Sequence, residues 1–162
     1  VFIVCGPELN TELKHRPPGP RGPLLPRLLR LDELVFRNGC FLFRKRLLGQ
    51  LRFQSGMSHA EDLLFFIKLA AVHEPIYAPV AEPTYLYRTG NSSAMSNLDG
   101  WERGYFQLLQ QLRRIPQLSW FERLPAHLRI ARILLATWLN RQQPIRAMAS
   151  AGRALLLAMT PA

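Results

Sequence analysis

The sequence has few cysteines, few acidic residues and no long apolar run. Its two cysteines, Cys5 and Cys40, stand in apolar, strand-like settings without metal-ligand spacing. This favours buried free thiols in a reducing compartment, and a disulfide between them stays open. The longest apolar segment, Ile130 to Leu139, is interrupted by Arg132 and falls short of the roughly 18 residues of a membrane span.

Several catalytic and ligand-binding signatures are also absent. There is no Walker loop, GxGxxG, HExxH or CxxC and no internal repeat. The four histidines are scattered and do not form a metal-binding set. These absences argue against a P-loop nucleotidase, a dinucleotide-binding enzyme and a zinc protein.

Length and composition indicate one ordinary domain, or part of a larger one. The chain has 162 residues, of which 48% are hydrophobic, enough to build a core. It starts abruptly with VFIVCG, a strand-like segment without an initiator methionine or a basic leader. We therefore expect the chain to begin inside a larger protein whose N-terminal half precedes Val1.

The formal charge of +10 is concentrated at the C-terminal end. Residues 101–162 carry nine arginines against two acids, whereas residues 1–100 carry 12 basic residues against nine acids. Such a segment favours an anionic partner, either a phospholipid surface or a nucleic acid, although solvated helix faces also explain many basic excesses. A nucleic-acid module needs aromatic and basic residues interleaved on one face, and here Tyr85 and Tyr87 are separated from the arginine-rich segment.

Apolar patterning predicts an α/β protein followed by a helical segment. Residues 7–26 are rich in proline and predict a loop or crossover on the surface. A basic helical turn is expected over 44–48. The predicted strands are 1–5, 40–43, 76–80 and 84–87, and the predicted helices are 27–36, one from near Ser58, one opened by Asp99 and Glu102, one from 119 or 126 to 141, and 144–159.

The central stretch is MSHAEDLLFFIKLA, residues 57–70. Ser58 and Glu61 have the spacing of a capping box, which predicts a helix that begins near Ser58. The residues that follow leave hardly any polar face, so the helix is expected to be buried on most sides. Glu61 then has a capping role, whereas Asp62 stands where an apolar side chain is expected.

Two interpretations of Asp62 stay open at this point. A carboxylate near a helix N-terminus complements the helix dipole, which is worth about 0.3–1 kcal/mol. A carboxylate held at the edge of a cleft by a rigid buried helix also suits a general base or a metal ligand. His59, beside the acids, is the one histidine kept as a candidate, with a solvent-facing position in the first turn as its simpler interpretation.

The order of these signals resembles the second half of an inverting family 2 glycosyltransferase with the GT-A fold. The resemblance covers roughly residues 31–96. Its matching segments are NGCFLFRKRLL at 38–48, Arg52-Phe53, the Glu61-Asp62 pair opening an apolar helix, EPIY at 74–77, YLYR at 85–88, and NSS at 91–93 with Met95.

The resemblance implies a partial GT-A-like, Rossmann-like mixed sheet with flanking helices over residues 1–97, followed by a basic helical extension over 98–162. It implies that Asp62 removes the proton from the acceptor hydroxyl and that Glu61 orients the site. Arg88 is placed where comparable chains approach the donor diphosphate. His59 and Ser92 are further candidates for substrate contact.

The resemblance also implies partners and a cofactor. The donor is a nucleotide-sugar and the acceptor a glycan or lipid-linked glycan of the cell surface, with the enzyme cytoplasmic and peripheral to the inner face of the membrane. The complete enzyme is expected to use Mg²⁺ or Mn²⁺ at an Asp-x-Asp signature. This chain lacks that signature, so we expect no metal site in it and no turnover by it alone. The alternative is a non-catalytic domain that binds membrane or nucleic acid through its charge.

Overall fold

A computed structural model describes residues 2–5, 8–10, 15–16, 19–33, 35, 41–80, 85–87 and 96–160. Over these residues the protein is mixed α/β and mostly helical, which confirms the general class predicted from the sequence. In chain order the elements are β1 (Phe2–Cys5), β2 (Glu8–Asn10), β3 (His15–Arg16), β4 (Gly22–Pro23), α1 (Leu25–Leu29), β5 (Phe41–Leu42), a 3-10 turn (Lys45–Leu47), α2 (Glu61–His73), β6 (Ile76–Pro79), β7 (Tyr85–Tyr87), α3 (Leu98–Leu112), α4 (Trp120–Asn140) and α5 (Pro144–Met159).

The strands form two small sheets that join the start of the chain to the segment after α2. In the first sheet the order is β4-β6-β1-β5, with β1 and β6 parallel and the two outer strands antiparallel. In the second sheet β2 lies between β3 and β7 and runs parallel to β7. Two parallel strands need a long crossover connection. The connection between the parallel strands β1 and β6 contains both α1 and α2.

Helix α2 is the buried centre of the protein. Seven of its 13 residues are buried, as its apolar sequence predicts. Two loop phenylalanines pack on it: Phe53 stacks on Phe65 at 4.4 Å between ring centroids, and Phe43 meets Phe66 edge to face. At its C-terminal end the His73 ring bonds the Leu47 carbonyl oxygen, which fixes the basic 3-10 turn to the helix.

Three helices complete the fold and share a core with α1 and α2. Asn97 caps α3 by accepting a hydrogen bond from the Gly100 N–H, and Ser119 with Glu122 forms a capping box at α4. The hydrophobic core cluster includes Leu64 of α2, Leu108 of α3 and Ile130 of α4. This core crosses the predicted boundary between residues 97 and 98, and the division into two parts stays a prediction.

Three local predictions are wrong. The helix expected at 27–36 is the short α1, with a proline in its first turn and Leu31 at a positive φ of 49° soon after its end. The proline-rich segment 7–26, expected to be a loop or crossover on the surface, contributes β2, β3 and β4, because segments distant in sequence pair with β2 and β4. The capping box expected at Asp99 and Glu102 is absent, since both carboxylates bind Arg146 instead.

Candidate functional site at the start of helix α2

The acidic pair lies in the first turn of α2, but the helix does not begin as predicted. It starts at Glu61, and the capping residue is Ala60, in the left-handed region at φ 60° without a side-chain cap. The Ser58 hydroxyl bonds the His59 ring nitrogen Nδ1 at 2.9 Å instead of a helical N–H. The predicted capping box is therefore wrong, and Glu61 has no capping role.

Asp62 is a partly buried carboxylate tied to its own helix. Its Oδ1 accepts a hydrogen bond from the Leu63 N–H at 2.7 Å. Burial raises the pKa of Asp62 above its ordinary value, and repulsion from Glu61 raises it further, while the Leu63 hydrogen bond lowers it. The net direction is upward, so the folded protein holds this carboxylate in a more basic state than water would.

Tyr105 of α3 is a second polar group near this carboxylate. The side chain is 8% exposed and its ring lies 4.6 Å from that of Trp101. Within the described part of the chain its hydroxyl has no hydrogen-bond partner. Burial raises the pKa of Tyr105; the nearby positive charge of Arg129 opposes this rise, and the negative charges of Asp62 and Glu33 add to it.

Arg129 of α4 is the positively charged residue near Tyr105. It makes an ion pair with Glu33 at 3.0 Å, and its side chain keeps about a third of its exposure. Three charged side chains thus act on Tyr105 of α3: Glu33 from the segment after α1, Asp62 from α2 and Arg129 from α4. The result is a small polar cluster, here called the Asp62 cluster, made of Glu33, Asp62, Tyr105 and Arg129.

Sequence reasoning found Asp62 and missed the other members of this cluster. From the sequence alone, Tyr105 belongs to the apolar stripe of its helix, Arg129 to a basic helix face and Glu33 to the outer face of the helix predicted at 27–36. Their spacing along the chain carries no signal of the cluster, because they come from three separate segments. A tyrosine inside an otherwise aliphatic stripe is the one local sign, since a buried hydroxyl usually needs a partner.

His59 is buried against α3 and not open to solvent as its simpler interpretation predicted. It is 8% exposed, and a Cβ built at Gly104 would lie only 2.5 Å from its carbonyl oxygen. At Gly100 a Cβ would come within 2.7 Å of the ring carbon Cε1. The ring also bonds the Ser58 hydroxyl, so His59 helps to hold the start of α2 against α3, and its predicted contact with a substrate stays a prediction.

The other predicted site residues are placed as follows. Arg88 and Ser92 lie outside the described residues, as does Cys40, so their predicted roles stay predictions. Glu61 is half-buried beside Asp62 and makes no hydrogen bond or ion pair in the described structure. Among the described residues no three His, Cys, Asp or Glu side chains are grouped to hold a metal ion. The Mg²⁺ or Mn²⁺ expected for the complete enzyme stays a prediction.

A second polar group joins α3 and α5. The buried Glu102 accepts hydrogen bonds from Arg146, at 2.6 Å, and from the Ser150 hydroxyl. Arg146 also pairs with Asp99 and lies 3.5 Å above the Trp138 ring. A cavity of about 300 Å³ adjoins these residues. Because the acids in it are already paired, this group ties the helices together.

Comparison with known proteins identifies no family. No protein-family model, curated protein or solved structure matches the chain. Within the described ranges, none of the helices has the length and apolar character needed to cross a membrane.

Proposed function

We propose that this chain is the acceptor-side half of an inverting, family 2-like glycosyltransferase with a GT-A-like fold, and that Asp62 is its general base. The observation that supports this most is the raised pKa of a partly buried carboxylate at the start of a rigid, buried helix. A base must hold its position across a cleft, and burial in α2 provides that rigidity.

The chemistry assigned to Asp62 is a single proton transfer. The carboxylate takes the proton of the acceptor hydroxyl as that oxygen attacks the anomeric carbon of a nucleotide-activated sugar. The bond from that carbon to the diphosphate breaks, the nucleoside diphosphate leaves with the electron pair, and the configuration inverts. Placement of the acceptor contributes as much as basicity, and the Tyr105 hydroxyl, which has no hydrogen-bond partner among the described residues, is suited to bind a sugar hydroxyl near Asp62.

The strand order is compatible with a Rossmann-like half-domain. Strands β1 and β6 are parallel, and so are β2 and β7, with α2 in the connection between them. Arg88 and Ser92 are proposed to contact the donor, and Glu61 to orient the site. Mg²⁺ or Mn²⁺ is proposed only for the complete enzyme, and no step is assigned to it here. The proposed location is the cytoplasmic face of a membrane where a glycan acceptor is built.

The test is sugar transfer by the full-length gene product carrying Asp62→Asn. Asparagine keeps the acceptor atom for the Leu63 N–H but cannot take a proton. We expect the transfer rate to fall by about 100-fold or more, with an unchanged circular dichroism spectrum. Glu74→Gln is the matched control, because it removes an exposed carboxylate at the opposite end of the same helix, and it should retain most of the activity. Unchanged transfer by Asp62→Asn would remove Asp62 as the base.

The second candidate is a non-catalytic module that binds an anionic partner. It is supported by the charge of the C-terminal helices, since residues 123–162 contain six arginines and no acid. A nucleic acid is the less favoured partner, because the same helices expose large apolar side chains. Gel-shift binding that disappears at moderate salt without length preference would indicate nonspecific charge alone.

A further inference from the structure

Helix α5 exposes large apolar side chains along its whole length. Ile145, Met148, Leu155, Leu156 and Met159 are between 40% and 86% exposed, and at about 100° per residue they lie within roughly 100° of the helix circumference. The opposite side of the helix is buried and consists of small residues, Ala147, Ser150, Ala154 and Ala158. The larger apolar residues of this helix therefore face solvent, which is the reverse of the usual arrangement.

Helix α4 continues this exposed surface. It lies antiparallel to α5, because Trp120 at its start donates a hydrogen bond to the Ala158 carbonyl oxygen and Trp138 near its end contacts Arg146. Phe121, Leu128 and Leu139 of α4 are exposed at intervals of seven and eleven residues, which place them on one helix face. The exposed apolar residues of both helices are here called the hairpin face.

The side toward the core is the opposite one for both helices. Ile130 and Leu134 of α4 are fully buried in the core cluster, and Ser150 of α5 bonds Glu102 of α3. On α4 the exposed residues stand roughly 160° around the helix from Ile130, counting about 100° per residue. The hairpin face is thus directed away from the rest of the protein, where it can meet an extended surface.

The charge around the hairpin face indicates which kind of partner can bind it. Residues 120–162 carry six arginines and one acidic residue, Glu122, and Arg132 and Arg141 are exposed. The Glu122 carboxylate is held by Ser119 in the capping box of α4, so a second copy of the same face would place arginines against arginines with little to pair them. An anionic bilayer offers apolar chains for the stripe and phosphates for the guanidinium groups.

We propose that the hairpin face binds an anionic membrane surface, with both helices lying in the interface plane. Apolar side chains of α4 and α5 enter the acyl boundary, and Arg132 and Arg141 stay at the level of the headgroups. Trp120 and Phe121 stand at one end of the face, where aromatic rings suit the interface. This goes beyond the proposed sugar transfer and does not depend on Asp62.

Vesicle sedimentation of the 162-residue chain tests this proposal. We expect binding to vesicles of phosphatidylcholine mixed with phosphatidylglycerol and little binding to phosphatidylcholine alone. The double variant Met148→Ser with Leu156→Ser should bind about tenfold more weakly, because it removes apolar surface from the interface. Val72→Ser is the control, since Val72 is an exposed apolar residue of α2, and it should bind as the unmodified chain does.

A charge-matched pair tests the arginines. Arg132→Gln with Arg141→Gln should weaken binding by roughly fivefold per arginine. Arg44→Gln with Arg46→Gln removes the same charge from the turn after β5 and should have much less effect. Equal weakening by the two pairs, equal binding to neutral vesicles, or no binding at all would overturn the proposal. So would a dimer in solution that Met148→Ser with Leu156→Ser dissociates, because a second copy would then cover the face.

Discussion

At the scale of single residues, His127 is a histidine whose pKa is lowered by burial. It is 1% exposed between α4 and α5, and its Nδ1–H donates to the Ala154 carbonyl oxygen at 2.9 Å. Burial lowers the pKa of His127 below 6.5; the bond to Ala154 opposes this, and the charges of Arg123 and Arg113 add to the lowering. The folded protein therefore holds this ring neutral.

The lowered pKa predicts a loss of stability in mild acid. The unfolded chain binds a proton at His127 more readily than the folded chain, so stability is full above about pH 6.5 and falls as pH drops from there toward the folded-state pKa. His127→Gln keeps a donor for Ala154 and removes the titration. In thermal melts from about pH 7 to about pH 5, we expect a smaller decrease of the midpoint for this variant. Equal decreases for both proteins would show that His127 does not contribute.

The residue scale also shows what the sequence can and cannot predict about the site. The position of Asp62 in the first turn of α2 was predictable, because the Glu61-Asp62 pair directly precedes an apolar run. The capping box was not, since Ala60 takes a left-handed conformation that displaces Ser58 from the helix start. Tyr105 and Arg129 join Asp62 only through packing of separate helices, which local spacing does not encode.

At the scale of elements, α2 and α3 are held together by a close backbone approach. Gly104 lies in the middle of α3, directly against the backbone of His59, where any side chain would come within 2.5 Å of the His59 oxygen. Gly152, also inside a helix, has nothing within 4 Å of a built Cβ. The two glycines therefore differ in packing while sharing the same helical setting.

This contrast predicts opposite effects of the same substitution. Gly104→Ala should lower the free energy of unfolding by about 1–3 kcal/mol, because His59 and the start of α2 must move. Gly152→Ala should raise it by about 0.5–1 kcal/mol through helix propensity alone. Urea denaturation measures both values. A stabilising Gly104→Ala would mean that α2 and α3 do not approach as closely as described.

Elements with a local apolar pattern were easier to predict than elements without one. Helices α3 and α5 and the four predicted strands, observed as β1, β5, β6 and β7, lie close to their predicted positions, whereas α2 begins only at Glu61. Strands β2 and β4 depend on pairing with segments up to 77 residues away, and no local pattern in the proline-rich segment indicates them. The exposure of the apolar residues of α5 was likewise not predictable, since an apolar stripe normally indicates a buried face.

At the scale of the whole molecule, one arginine ties the C-terminal helices together. Arg146 of α5 pairs with Asp99 and with the buried Glu102 of α3, and it lies over the Trp138 ring of α4. Removing its charge leaves the Glu102 carboxylate buried with only the Ser150 hydroxyl as partner. An unpaired buried carboxylate is costly, so this contact matters more than an exposed ion pair.

Arg146→Met is expected to lower the free energy of unfolding by about 2–4 kcal/mol, although methionine retains apolar contact with Trp138. Adding Glu102→Gln to this variant should restore part of the loss, because the uncompensated charge disappears. Arg141→Met, at an exposed position with no side-chain hydrogen bond or ion pair to the described residues, is the control and should be nearly neutral. Chemical denaturation checks the three variants, and a neutral Arg146→Met would contradict the network.

The central claim is that Asp62 acts as a general base and does not stabilise its helix. The measurement that tests it most directly is the stability of Asp62→Asn as a function of pH. Because the folded-state pKa is raised, the ionised carboxylate destabilises the fold at neutral pH, and protonation recovers that stability as pH falls through the raised pKa. We predict that Asp62→Asn is more stable than the unmodified chain at neutral pH and that the difference shrinks in acid. A less stable variant at neutral pH would contradict the account, because Asp62 would then serve the helix dipole.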